Sequence, residues 1–550
     1  MTSDRARRGS AADIYARFSP VREALNELTE RDAARRLFAR DATLWSDDAD
    51  VQRTIADRLG WIDVVGGHPA WGERLRSLAR EVRDDGIDHV VVAGMGGSSL
   101  APEVFASVFH DTSGPTMRVL DSTHPAAITE RLPEDGLDST LVIVSSKSGT
   151  TTETRSFALR AERLVPSTRH LVAISDADTD LAREADVRGW RAVFANPADI
   201  GGRFSALSLF GMVPAALTGV DVDAVWRSGA TMAVACGPAR TGVDNPGLVL
   251  AAFMGGLARS GRDKLTLLTS ASLASFADWA EQLVAESTGK QGTGIVPVVG
   301  EPVGPPEVYG DDRAFVVIEH AQEPVAGVEP LEAAGFPVLR ITIDDRHALG
   351  GEFVRWEVAT ALAGALLGID PFDQPDVAES KRNTEEVLAE VASGTALPEP
   401  ERADIGELLA AIRPGDYVSI QSYLPPDDKV AAGLTEVRLI LRDARRVATT
   451  VGWGPRFLHS TGQLHKGGPG SVVVLQLVDV PAGEDDIAIP ARDHTFGTLV
   501  RAQAIGDLRS LRAHDRRVFQ RRIDGPEDIV RLIGDVTAEL HKPVPDADAL

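Results

Sequence analysis

The pattern of apolar and polar positions along the chain changes character at residue 88. Residues 10 to 85 read as helices, with Trp61 and Trp71 as the expected packing anchors. Beyond them short β-branched runs alternate with amphipathic stretches: His89–Ala93, Met117–Leu120, Leu141–Ser145, His170–Ile174 and Arg191–Phe194. Short apolar strands separated by helix-length segments predict a parallel sheet covered on both faces. After helical segments from 205 to 260, the alternation resumes at Lys264–Leu268, Phe315–Ile318 and Val338–Ile343. The stretch from Gly300 to Gly310 is an expected loop, and another surrounds Pro398 and Pro400. A helix (Lys429–Arg445), a strand (Val472–Leu477), a helix (Leu499–Leu511), a strand (Arg517–Gln520) and a helix from Glu527 complete the pattern. The tail Pro543–Leu550 is expected to be loose.

The fold class expected from this pattern is α/β. An N-terminal helical segment (1–85) precedes two doubly wound parallel-sheet domains in tandem (86–235 and 236–395). A C-terminal α/β extension (396–550) is expected to pack on the second. A chain of 550 residues is too long for one ordinary core, which fits that division.

Composition narrows the functional classes. A formal net charge of −24 excludes a chain-wide basic surface for nucleic acid. The single cysteine, Cys236, allows no internal disulfide and no cysteine-built metal cluster. The charged N-terminus is not followed by an apolar stretch, so no signal peptide is expected. The run Ala206 to Val220 is too short to span a bilayer and contains Gly211 and Pro214. These features predict a soluble, cytoplasmic protein without membrane or nucleic-acid partners. Only seven of the 57 Lys and Arg residues are lysines. Four of them, Lys147, Lys290, Lys381 and Lys466, fall in the motifs below, and a compact titratable ammonium is not interchangeable with arginine.

Two strand-to-helix turns carry candidate chemistry. The first, Val92-Ala-Gly-Met-Gly-Gly-Ser-Ser99, has glycines that let the backbone approach a ligand and free N–H groups at a helix start. A dinucleotide site with Asp121 as the ribose-binding acid is one reading. The third glycine of that fingerprint would fall at Ser99, however. A tight turn without a ligand is another. The second turn, Ser145-Ser-Lys-Ser-Gly-Thr-Thr-Thr-Glu-Thr154, crowds seven hydroxyls and one lysine together. Capping needs one hydroxyl, and the surplus suits a phosphate's several acceptor oxygens. Both turns lie at carboxyl ends of parallel strands, where open α/β sheets bind ligands. Their expected common ligand is a sugar phosphate, held by Gly97, Ser98, Ser146, Lys147, Ser148 and Thr151.

The pair Gly94-Met-Gly-Gly-Ser-Ser and Ser146-Lys-Ser-Gly-Thr-Thr resembles the sugar-isomerase fold family and, within it, the glucose-6-phosphate isomerases. Four further stretches agree: Gly201-Gly-Arg-Phe-Ser205, Gln282-Leu-Val-Ala-Glu-Ser-Thr-Gly-Lys290, Pro371-Phe-Asp-Gln-Pro-Asp-Val-Ala-Glu-Ser-Lys381 and Leu458-His-Ser-Thr-Gly-Gln463. The likeness is greatest to the isomerase half of bacterial transaldolase–isomerase fusions, without a transaldolase portion. It implies two sugar-isomerase domains and reversible isomerisation of glucose 6-phosphate and fructose 6-phosphate. Ring opening and a cis-enediolate would be the route, with no cofactor and no metal. A homodimer is also implied, in which the histidine can come from the partner subunit.

The resemblance assigns the site residue by residue. Glu286 becomes the proton-transfer base, with Gln282 as a neighbouring substrate contact. From the residues alone, one half of a surface i, i+4 pair with Lys290 is the preferred reading of Glu286. Its helix, Ser275 to Glu286, has an apolar stripe, with Ser275 and Asp278 as expected caps and Gly289 as its end. Arg203 is implied to stabilise the enediolate, and is otherwise one loop arginine among many. His459 inherits ring opening, with Lys381 assisting; His465 lies outside the catalytic position, and the spacing of the two histidines fits no metal-binding helix. One departure stands out. In the family the histidine stretch precedes the lysine stretch, whereas here Lys381 precedes His459 by 78 positions. An enzyme of other sugar-phosphate specificity and a non-catalytic sugar-phosphate-binding regulator are the alternatives to this reading.

Overall fold

The computed structural model describes residues 9–67, 69–481 and 483–542. The tail Pro543–Leu550 lies outside them. The strands form three sheets. The first holds β1 (His89–Gly94), β2 (Thr116–Leu120), β3 (Thr140–Ser145), β4 (Leu171–Asp176) and β5 (Ala192–Asn196), in the order β2-β1-β3-β4-β5. The second holds β6 (Lys264–Thr269), β7 (Val296–Val298), β8 (Arg313–His320) and β9 (Val338–Ile343), ordered β7-β6-β8-β9. The third holds β10 (Tyr417–Tyr423), β11 (Ala448–Trp453), β12 (Val472–Val478) and β13 (Arg517–Arg522), ordered β11-β10-β12-β13. Each strand pair is parallel, as the alternating pattern requires.

Register places the chemistry. Gly94 at the end of β1 pairs with Ser145 at the end of β3, so the two anion-suited turns leave the sheet side by side. The strands β7, β10 and β11 have no counterpart in the pattern-based reading. Strand β10, Tyr-Val-Ser-Ile-Gln-Ser-Tyr, is buried at each position although Ser419, Gln421 and Ser422 interrupt its apolar residues. Strand β7 is only three residues long.

The N-terminal helices pack mainly on the helices Leu209–Leu217, Val222–Cys236 and Pro246–Arg259. Trp61 is buried and stacks on Phe204 with ring centroids 5.3 Å apart, and Trp71 meets Trp226 at 6.3 Å. The third sheet touches both others. Arg438 Nη1 donates to Val299 O at 2.8 Å, Lys264 Nζ to Gly415 O at 2.6 Å, and Thr123 Oγ1 to Gln503 Oε1 at 2.6 Å. Among the described residues no helix is long and apolar enough to cross a membrane.

One capping expectation is corrected. The helix Ala274–Thr288 follows directly on the 3-10 turn Ala271–Leu273, which puts Ser275 and Asp278 inside the helix rather than at its cap. The cap comes from elsewhere in the chain: the Glu323 carboxylate accepts the N–H groups of Ala271 and Ser272 at 3.1 and 3.3 Å. Gly289 does end the helix.

Candidate active site

The first turn is shaped by close approach. Gly96 has φ +54°, and a Cβ there would lie 2.7 Å from His459 O and 2.8 Å from Gln282 Nε2. At Gly97 a Cβ would lie 2.0 Å from Gly202 O. Glycine is therefore required for the β1 turn to meet both the Gly201–Ser205 loop and the segment bearing His459. Ser98 is buried in the 3-10 turn Gly96–Ser98.

The second turn leaves its helix start open. Thr151 is the N-cap of the helix Thr152–Leu164, and no side-chain oxygen caps it. The hydroxyls instead face one another: Ser146 Oγ lies 3.1 Å from Thr151 Oγ1, and Ser148 Oγ 3.0 Å from Thr150 Oγ1. An uncapped helix start beside clustered hydroxyls is chemically suited to an anion. The Lys147 ammonium points elsewhere, to Asp176 and to Ala198 O at 2.8 Å. Its side chain fastens the turn, and its carbonyl accepts from Asp176 N at 3.1 Å.

Glu286 is 4% exposed. Its Oε1 lies 3.2 Å from Arg203 Nη1, and its Oε2 accepts from Gln282 Nε2 at 3.0 Å. The surface pair with Lys290 does not form. Lys290 is itself buried and donates to Asp373 O and Oδ1 at 2.7 and 2.6 Å, and burial brings its ammonium down to about 8. Arg203, 3% exposed, donates to Ser287 Oγ (2.7 Å), Pro371 O (2.6 Å), Asp373 O (3.0 Å) and Gln374 Oε1 (3.3 Å). One guanidinium thus locks the Gly201–Ser205 loop to the Glu286 helix and to the Pro371–Gln374 segment.

His459 sits in the 3-10 turn Arg456–His459 just beyond β11. Its Nε2 lies 2.9 Å from Glu153 Oε1, and its carbonyl accepts from Gln282 Nε2 at 2.7 Å. Burial alone would raise the Glu153 carboxyl, but the charge and hydrogen bond of the His459 ring bring it below the usual glutamate range. Gln503, from the helix Phe496–Ala513, donates to the same Glu153 oxygen at 2.7 Å. Lys381 lies exposed on the helix Pro375–Ala392 and lines, with Glu153, His459 and Gln503, a cavity of about 30 Å³. Lys381 and His459 therefore share one chamber despite their reversed order in the chain.

Glu153 was in plain view as the acid within the hydroxyl-rich run, in the first turn of its helix. Gln503 had no local signal. His465 is a core residue: its Nδ1 lies 3.0 Å from Tyr417 Oη, and burial lowers its imidazole to about 3. Asp121, which a dinucleotide reading needs free, lies 3.2 Å from Arg456 Nη1 and accepts from Ser99. Among the described residues one group has metal-suited spacing, Asp376, Glu379 and His514, with donor atoms within 4.8 Å of one another. Its atoms are engaged internally: Gln463 and Ser510 donate to Asp376 and Glu379, and His514 pairs with Glu379 at 2.9 Å.

The phosphoglucose isomerase family model matches residues 70–304. The chain is 30% identical over 365 residues to a glucose-6-phosphate isomerase of Rubrobacter xylanophilus, covering 56% of this chain and 84% of that relative. The chain belongs to the glucose-6-phosphate isomerase family. The family's enzyme from Thermosynechococcus vestitus is 28% identical over 474 residues, 76% of this chain and 89% of its own length. Among solved structures, a hypothetical protein of Thermus thermophilus superposes with TM-score 0.56 at 25% identity, covering 67% of this chain and 97% of that one. A glucose-6-phosphate isomerase of Chlamydia trachomatis shares the fold, with TM-score 0.51 at 19% identity over 69% of this chain and 86% of that one. The phosphoglucose isomerase model covers the β1 and β3 turns, Arg203 and Glu286, and ends before Lys381 and His459. Within this member of the family, those last two groups are brought in by the segments on either side of residue 400.

Proposed function

We propose that this site performs the reversible isomerisation of glucose 6-phosphate and fructose 6-phosphate, in the cytoplasm, with the turns after β1 and β3 holding the phosphate. The observation that carries the reading is the joint placement of Glu286, Arg203, Gln282 and His459 against the Gly96 turn. Ser98, Ser146, Ser148, Thr151 and the uncapped start of the helix Thr152–Leu164 grip the anion. His459, oriented through Nε2 by Glu153, uses its remaining ring nitrogen on the ring oxygen of the cyclic sugar, with Lys381 alongside. Glu286 then takes the proton from carbon-2 and returns it to carbon-1. Arg203, whose Nη1 reaches Glu286, offsets the negative charge that develops on the enediolate oxygens. Gln282 fixes the carboxylate, and its Oε1 has no partner among the described residues, which leaves it for a sugar hydroxyl.

Purified protein is expected to interconvert the two hexose phosphates in a coupled assay and, in heavy water, to incorporate deuterium at carbon-2. Turnover of neither sugar, or complete retention of the carbon-2 hydrogen at all times, would count against proton transfer through Glu286.

The homodimer implied by the resemblance is proposed here as an assembly rather than a catalytic requirement. His459 reaches Glu153 and Gln282 of its own chain, which supports a site built within one subunit. Turnover per chain is expected to stay constant on dilution through the dimer's dissociation range, followed by light scattering and assay together. A sharp loss of specific activity as the dimer separates would indicate that a partner subunit completes the site.

A further inference from the structure

We propose that Arg456 is a positioning residue for His459, tying the turn that bears the histidine to the phosphate-holding turn; this rests on the reading of His459 as the ring-opening group. Arg456 opens the 3-10 turn that His459 closes, three residues later. Its guanidinium leaves the third sheet and crosses to the first. There Nη2 pairs with Glu103 on the helix Leu100–Val108, and Nη1 lies 3.2 Å from Asp121 Oδ2 just past β2.

The connection continues inward. Ser99 Oγ lies 3.4 Å from Asp121 Oδ2 and 3.1 Å from Gly96 O, which joins the carboxylate to the first anion turn. Gly96 in turn packs against the His459 carbonyl, which Gln282 Nε2 also holds. Arg456, Asp121, Ser99, Gly96 and His459 thus form a closed circuit across two sheets. The histidine turn is pinned at its first residue by the guanidinium and at its last by the Gly96–Gln282 contacts. Arg456 itself lines a separate cleft of about 430 Å³ with Glu103, Asp121 and Trp453, whereas His459 opens on the 30 Å³ chamber. It therefore acts on the reaction through the turn and not by touching substrate.

Charge explains why arginine is needed. Asp278 and Glu281, on the Glu286 helix, join Glu103 and Asp121 around this one cation. Burial pushes Asp278 up to about 6 and Glu281 up to about 8, with the neighbouring acids adding to the rise. Arg456 is the cation that counters this rise at Asp278 and the principal one that does so at Asp121. A planar fork serves two carboxylates from two elements at once, which a lysine's point charge does not.

The experiment compares Arg456→Gln, Arg456→Lys and His459→Asn in the full chain. Displacement of a catalytic group by about an ångström costs roughly 10²-fold in rate. Arg456→Gln is therefore expected to lower kcat roughly 10- to 100-fold. KM, and the affinity for 6-phosphogluconate as an open-chain probe that needs no ring opening, should stay within about twofold of wild type, with Arg456→Lys recovering part of the loss. Glu103→Ala, which keeps the guanidinium and removes one anchor, should show the same pattern more weakly, and it serves if Arg456→Gln does not fold. A kcat within about twofold of wild type in both variants overturns the proposal. So does a fall in 6-phosphogluconate affinity that matches the fall in kcat, since that marks a general loss of structure. Undiminished turnover in His459→Asn would instead overturn the ring-opening assignment, whatever Arg456 does.

Discussion

Replacing Glu286 with glutamine is expected to lower turnover by roughly 10²–10⁴-fold, the contribution of a positioned general base. The shape is conserved, so the surroundings need not rearrange. A glutamine carbonyl can still accept from Gln282 Nε2 or Arg203 Nη1, and Arg203 keeps its bonds to Ser287, Pro371, Asp373 and Gln374. What disappears is the group that accepts the carbon-2 proton. Affinity for 6-phosphogluconate, measured by calorimetry, should survive, because the phosphate turns are untouched. Near-normal kcat in Glu286→Gln would transfer the base role to another group and undo the mechanism.

Arg203→Ala has two expected consequences of different origin. Removing the cation beside the developing enediolate costs roughly 10²–10³-fold in kcat, the scale seen when one preorganised electrostatic partner is lost. Stability also falls, by about 3–5 kcal/mol, because breaking a buried ion pair leaves Glu286 as an uncompensated charge. The carbonyls of Pro371 and Asp373 and the Ser287 hydroxyl lose their donor in the same step. Thermal unfolding and turnover measured on the same preparation separate the two effects. Arg203→Lys restores a charge without the fork, so it should regain more stability than turnover. Wild-type turnover in Arg203→Ala would remove the arginine from the chemistry and leave it a purely structural brace.

Several of these assignments were legible in residue spacing because they lie on regular elements. Gln282 and Glu286 are four apart on a helix and had to share a face, and Gly94 and Ser145 could be read as strand ends once the β-branched runs were recognised, although only the structure makes those strands neighbours. The partners were not legible. Arg203 was one loop arginine among many until tertiary structure set it among Ser287, Gln374 and Glu286. Lys290 paired with Asp373, 83 residues away, in preference to Glu286 four residues away: it lies just beyond the helix end, and both side chains are buried against partners from elsewhere in the fold. Lys147 looked like a phosphate ligand by charge, yet Asp176 claims its ammonium. The β10 strand was hidden for the opposite reason: its serines and glutamine obscured a segment that is fully enclosed. Chain order likewise misled about Lys381 and His459, since the third sheet returns its β11 turn to the place where Glu153 waits.

The uniformly parallel sheets have a consequence for how the molecule comes into being. Parallel neighbours cannot be joined by hairpins, so each strand waits for a helical crossover before it finds its place, and loop-closure entropy slows such topologies. The candidate site draws on positions from 96 to 503, and domains emerging from a ribosome fold largely in the order of their synthesis. A nascent chain can thus acquire its anion-suited turns hundreds of residues before the histidine arrives, so catalytic competence is among the last properties the polypeptide gains.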